Sequence, residues 1–85
     1  MKQTELFEEI VVMISHTFAI PQSRITLETS IRESITNSPI ELYDFLDELE
    51  NNMGITILDD DRYMDLATVA DLVHYVQREL AVSQD

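Results

Sequence analysis

The run Ser38-Pro39-Ile40-Glu41-Leu42-Tyr43-Asp44-Phe45-Leu46-Asp47-Glu48-Leu49-Glu50-Asn51-Asn52-Met53-Gly54 reads as one helix with both ends marked. A serine at the cap accepts an N–H from the first turn, and proline in the first helical position has no N–H to leave unpaired. Glu41, three residues after the cap, completes a capping box. Leu42, Phe45, Leu46, Leu49 and Met53 recur at the three- and four-residue spacing of one buried stripe. Gly54 follows where a left-handed closing residue is expected. The other face carries Glu41, Asp44, Asp47, Glu48 and Glu50, so the spacing predicts an amphipathic, strongly acidic helix ending at Met53.

Helical spacing also runs through the N-terminal stretch from Thr4 to Phe18, with Leu6, Ile10, Met13, Ile14 and Phe18 on one face. Thr4 is the expected cap, Glu5, Glu8 and Glu9 complement the positive end of the dipole, and Pro21 enforces an end. Pro21 to Ser38 is rich in Ser and Thr and holds Ile25, Leu27, Ile31 and Ile35 without a sustained period. A connection this long is expected to be ordered and pinned across the bundle by those four aliphatics, with room for a short helical turn. Beyond Gly54, Ile55 and Ile57 alternate with Thr56, an extended segment dropping side chains into the core. Asp59, Asp60 and Asp61 offer caps for a short helix reaching about Asp65. Thr68 and Asp71 form a second capping box, opening a last helix to Leu80 with Val69, Leu72, Val73, Val76 and Leu80 on its stripe.

The expected architecture is therefore all-α: a small four-helix bundle, three helices long and one short, with a long ordered first loop. With no internal repeat and no linker, residues 1–85 make one domain, its ends (1–3 and 81–85) expected to be frayed.

Composition removes several chemistries. Apolar residues make up 45% of the 85 residues, enough for one core, while one Gly and two Pro leave little room for a turn-rich β architecture. The absence of Cys excludes a disulfide framework, a thiol nucleophile and cysteine-ligated zinc or iron–sulfur sites. A single Gly excludes a glycine-rich phosphate loop. Five basic residues against seventeen acidic ones leave a net charge of −12. Such a surface repels phosphate backbones and anionic membranes, so neither nucleic acid nor membrane is an expected partner. It suits docking on basic patches, with a salt-sensitive association rate. Nothing between Met1 and Glu9 resembles a secretory signal, and the longest apolar run, Ile10 to Ile14, is too short to span a bilayer; a cytoplasmic protein is expected.

No catalytic constellation emerges. His16 and His74 lie on different helices, and Ser15, adjacent to His16, does not face it. Asp59, Asp60, Asp61 and Asp65 hint at a calcium loop, but that pattern needs an oxygen ligand where Tyr63 stands and a glycine where Met64 stands. They read instead as a solvated helix start, and no metal is expected. At Ser38 two readings stay open: a plain cap, or a phosphate ester favoured by the unpaired N–H groups and dipole of a helix N-terminus.

Four stretches together resemble the acyl carrier proteins and their peptidyl-carrier relatives. Ile25-Thr26-Leu27-Glu28-Thr29-Ser30-Ile31 looks like that family's first loop, and Ile40 through Glu50 looks like its acidic second helix. Met53-Gly54-Ile55-Thr56-Ile57 is similar to the segment that follows, and Thr68-Val69-Ala70-Asp71-Leu72-Val73-His74-Tyr75-Val76 to the start of the last helix. The likeness covers nearly the whole chain. It implies a four-helix carrier without catalysis of its own, of the kind used in fatty acid or polyketide biosynthesis. In the family a serine at the start of helix two, normally within Asp-Ser-Leu, bears a 4'-phosphopantetheine arm whose thiol carries acyl or aminoacyl groups as thioesters. By position, Glu41, Asp44, Asp47 and Glu48 inherit the family's docking surface.

The match departs at one point. Gap-free alignment from Ile31 to Gly54 places Pro39 at the attachment position, Ser38 on the usual Asp and Ile40 on the usual Leu. Two alternatives follow. Either Ser38 is the phosphopantetheine attachment site, loaded by a phosphopantetheinyl transferase, and the chain, a monomer, serves basic surfaces of acyl-transferring or acyl-modifying enzymes. Or the chain is a carrier-like docking module without the arm.

Overall fold

Residues Gln3–Phe18 form helix α1 in the computed structural model, which describes residues 2–58 and 61–83 and, for 61, 62, 82 and 83, the backbone alone. The helix starts earlier than its sequence suggests: Lys2, not Thr4, holds the cap position, and it makes no side-chain cap bond. The Lys2 carbonyl accepts the Leu6 N–H at 3.0 Å, which brings Thr4 into the first turn. Leu6, Ile10, Val11 and Ile14 are buried, while Met13 and Phe18 are half-buried against the core. Val11 joins the expected stripe because it lies three residues before Ile14 and seven before Phe18. The helix ends at Ala19, left-handed at φ 56° and ψ 44°. That conformation costs a non-glycine residue about 1 kcal/mol.

The long connection is ordered, in two turns. Gln22–Arg24 is a 3-10 turn, and Ile31–Ile35 is a π-helical turn closed by the Thr36 N–H donating to the Ile31 carbonyl at 2.9 Å. Ile25 and Ile31 are buried and Ile35 half-buried, as pinning requires. Leu27 is the exception, 37% exposed. Its backbone makes the attachment instead: the Leu27 and Thr29 carbonyls accept the Ala70 and Val69 N–H groups at 2.9 and 3.0 Å. These N–H groups open a helix and have no intrahelical partner, so the loop satisfies them. The Ile31 N–H returns a bond to the Ala67 carbonyl at 2.9 Å, beside an isolated bridge between Ser30 and Thr68.

Helix α2 spans Pro39–Met53 and closes on Gly54, left-handed at φ 68°, whose N–H donates to the Glu50 carbonyl at 2.8 Å. Phe45, Leu46 and Leu49 are buried; Leu42 and Met53 pack half-buried beside them. Ile55 and Ile57 are buried on either side of exposed Thr56. The short helix is a 3-10 turn, Asp61–Asp65. Two of its expected caps, Asp59 and Asp60, lie outside the described residues. Helix α3, Val69–Ser83, extends three residues past Leu80, so residues 81–83 are helical. Its capping box is reciprocal. Thr68 Oγ1 accepts the Asp71 N–H at 3.3 Å, and Asp71 Oδ2 accepts the Thr68 and Ala67 N–H groups at 3.2 and 3.1 Å.

The three long helices and the short turn form the all-α bundle, its core made by the facing stripes: Leu6, Ile10 and Ile14 of α1, Leu46 and Leu49 of α2, and Val69, Leu72, Val73 and Val76 of α3. Each such side chain contributes roughly 1.5–3 kcal/mol on leaving water. Among the described residues no polar side chain is buried. The Phe18 and Phe45 rings meet at 5.6 Å, and the Tyr75 hydroxyl donates to the Ile57 carbonyl at 3.1 Å, tying the extended segment to α3.

Candidate functional site

Everything that singles out Ser38 converges on the head of α2. Its backbone is extended (φ −89°, ψ 118°), and Oγ accepts the Glu41 N–H at 3.3 Å. The second half of the expected box is closed differently. Glu41 does not reach back to the Ser38 N–H; that group donates to Thr36 Oγ1 at 3.1 Å, and the Thr36 hydroxyl makes a long 3.5 Å bond to Glu41 Oε2. Thr36 is thus an intermediary that the helix-start rules alone did not reveal. Its one signal was a hydroxyl two residues ahead of a serine cap, the spacing of a local side-chain turn.

Beside this cap lies a cleft of about 270 Å³, lined by Arg32, Thr36, Asn37, Ser38, Pro39, Leu42, Tyr63 and Met64. The π-helical turn supplies Arg32, whose Nη2 donates to the Met64 carbonyl at 3.2 Å and joins that turn to the 3-10 helix. Leu42, Tyr63 and Met64 give the cleft an apolar side. Tyr43 meets Tyr63 edge-on, with centroids 5.9 Å apart. Ile40, 74% exposed, stands on the next position of α2 after Pro39. The Ser38 hydroxyl, one guanidinium and an apolar wall are therefore gathered at the end of a helix.

Along α2, Glu41, Asp44, Asp47 and Glu48 are all exposed. Their spacings of three and four residues set them in a like-charged row, and α2 contains no Lys or Arg to offset it. Glu50 does not belong to this row, contrary to its place in the sequence pattern. It is half-buried, and its Oε2 accepts the Leu58 N–H at 2.8 Å and the Ile57 N–H as well. A glutamate is long enough to fold over the helix end and cap the backbone of the returning chain.

The remaining candidates stay apart. His16 and His74 are exposed on α1 and α3. Among the described residues no group of three or more His, Cys, Asp or Glu could hold a metal ion, and no helix is long and apolar enough to cross a membrane.

No family model matches the chain. Curated proteins do. It is 31% identical over 77 residues to an acyl carrier protein of Lactobacillus johnsonii, covering 91% of this chain and 95% of that protein. It is 26% identical over 85 residues to an acyl carrier protein of Petrotoga mobilis, covering 100% and 99%, and 28% identical over 80 residues to that of Exiguobacterium sibiricum, covering 94% and 100%. End-to-end likeness of this kind, joined to an all-α bundle with an acidic second helix, means that the chain belongs to the acyl carrier protein family, whose members are carriers rather than enzymes.

Proposed function

We propose that this carrier holds an acyl or aminoacyl group on a phosphopantetheine arm esterified to Ser38, and offers it to partner enzymes through Glu41, Asp44, Asp47 and Glu48. The observation that carries this reading is the Ser38 hydroxyl itself, placed at the head of α2 and lining an open cleft. Pro39, which stands at the family's attachment position, has no nucleophilic atom. The residues around Ser38 fit the group. The cap uses only a lone pair of Oγ, so the hydroxyl proton can be surrendered on esterification while Oγ still faces the Glu41 N–H. A phosphodiester there meets the positive end of α2 and shares its cleft with Arg32, two sources of favourable charge. Bound in that place, the arm would supply the thiol on which the acyl group rides as a thioester.

The acidic row then faces basic surfaces of acyl-transferring or acyl-modifying enzymes, and of the phosphopantetheinyl transferase that loads Ser38. Such charge complementarity raises encounter rates more than it raises affinity. A cytoplasmic monomer is the form this reading takes.

Pro39 favours a second reading, in which the chain keeps the docking face and has no arm. Intact mass after incubation with coenzyme A and a broad-specificity phosphopantetheinyl transferase separates the two. A phosphopantetheine adduct that disappears both in Ser38→Ala and in Ser38→Asp, which keeps the cap, establishes the offset attachment. A folded protein without the adduct, still retained by a basic acyl-transferring partner, supports the armless module.

A further inference from the structure

The five-residue apolar run Ile10 to Ile14 is wider than the core uses. Ile10, Val11 and Ile14 are buried, but Val12 is 51% exposed and Met13 only half-buried. These two residues, with Met53 at the end of α2, give apolar character to a groove of about 670 Å³ between the two helices. Glu5, Glu8, Glu9 and Asn52 complete its lining. A single exposed valine needs no explanation; here it continues into two half-buried methionines and is edged by one sign of charge.

Two of the three glutamates, Glu8 and Glu9, are not accounted for by the dipole of α1, contrary to the expectation from the sequence. Glu5 lies in the first turn, where the helix dipole favours an anion; Glu8 and Glu9 lie a turn further on, where that effect has faded. Glu5 stands three and four residues from them, spacings at which like charges repel. A lysine or arginine four residues after Glu8 and Glu9 would relieve this. Those positions are Val12 and Met13, and α1 contains neither Lys nor Arg.

We propose that this groove is a second docking surface, separate from the acidic row of α2, and that its occupant is a basic amphipathic helix of a partner protein. Apolar side chains of that helix at three- and four-residue spacing would pack on Val12, Met13 and Met53. Its flanking arginines or lysines would pair with Glu5, Glu8 and Glu9. A rim of glutamates repels anionic lipid, which leaves a polypeptide with cations beside apolar anchors as the complementary surface. Met13 and Met53 suit such a floor because their unbranched side chains adapt to different anchors. The proposal does not depend on whether Ser38 is loaded.

The test is an amide NMR titration of the full chain with a synthetic amphipathic peptide of leucine and arginine at helical spacing. The expected result is shift changes in the first half of α1 and at Asn52 to Gly54. Val12→Ser leaves the net charge unchanged and should weaken binding at least about fourfold, the worth of one buried methylene. Glu5→Gln with Glu9→Gln should weaken it further, and Asp44→Asn with Glu48→Gln should weaken it less. Val12 is exposed, so a circular dichroism melt should find Val12→Ser folded. The proposal is overturned if the peptide does not bind, if the shifts fall on α2 alone, or if Val12→Ser leaves affinity unchanged. The last result would mean that net charge alone attracts the peptide.

Discussion

Glu50→Ala separates two views of the acidic helix by the sign of a single measurement. Taken as one more exposed acid on a chain of net charge −12, Glu50 is a source of self-repulsion, and its removal should stabilise slightly. The structure requires the opposite. Glu50 Oε2 holds the N–H groups of Ile57 and Leu58, in the segment whose Ile55 and Ile57 side chains are buried. A hydrogen bond to a charged acceptor contributes at most about 1.5–3 kcal/mol. With Glu50 only half-buried, solvent screening brings each nearer ~1 kcal/mol. Two such bonds, less a few tenths for relieved repulsion, leave a loss of about 2 kcal/mol. For a domain of this size each kcal/mol is roughly 4–8 °C in Tm, so Glu50→Ala should melt roughly 8–16 °C below the parent protein. Glu50→Gln retains an acceptor oxygen without the charge and should lose about half as much. The control is Asp47→Ala, an exposed acid from the same helix expected within about 0.5 kcal/mol of the parent. Thermal melts followed by far-UV circular dichroism suffice. Should Glu50→Ala and Asp47→Ala melt together, the structural role of Glu50 is refuted.

Three further substitutions probe other features. Ser38→Ala should lose about 1 kcal/mol with the cap and, on the proposed function, all loading. Ser38→Asp should restore the cap without restoring loading, as a melt and an intact mass would show together. Ala19→Gly should raise stability by up to about 0.6 kcal/mol, because relief at φ 56° exceeds the added unfolded-state entropy of glycine; a urea titration with unchanged slope checks this. Asp44→Lys with Glu48→Lys should leave the melt nearly intact while slowing association with a basic acyl-transferring enzyme, most at low salt, and an association rate unchanged across salt concentrations would remove α2 from the docking surface.

How much could be read in advance depended on whether a contact was local. Both ends of α2 are written in neighbouring residues, Ser38 and Pro39 at one end and Gly54 at the other, and its bounds were legible to the residue. The box of Thr68 and Asp71 was legible for the same reason. The start of α1 was not. Lys2 offers no side-chain cap, so the better-looking Thr4 drew the boundary, while burial of Leu6 and its bond to the Lys2 carbonyl brought the preceding residues into the helix. Glu50 and Leu27 fail for a different reason. Their roles are contacts with distant segments: a carboxylate reaching the chain beyond Gly54, and a carbonyl reaching the head of α3. Helical periodicity describes only the face on which a residue begins, not how far its side chain or backbone carbonyl can reach. The cleft beside Ser38 has the same origin, since Arg32 comes from one turn and Met64, with Tyr63, from another 32 residues along the chain.

The head of α2 also explains how the fold and the attachment chemistry can come apart in this chain. A helix start needs an acceptor for its first N–H groups and tolerates a residue that has none to offer. Ser38 and Pro39 meet both conditions, whatever is or is not bound to the serine. Proline in the first helical position therefore leaves the helix start intact, with or without an arm on Ser38. What changes is the work assigned to one atom. On the proposed function Ser38 Oγ is both the cap and the point of esterification, so Ser38→Ala removes both together and cannot distinguish a lost arm from a loosened helix. An aspartate at the same position can accept the Glu41 N–H but cannot be esterified by transfer to a hydroxyl. The pair of substitutions, rather than either alone, tells stability and loading apart.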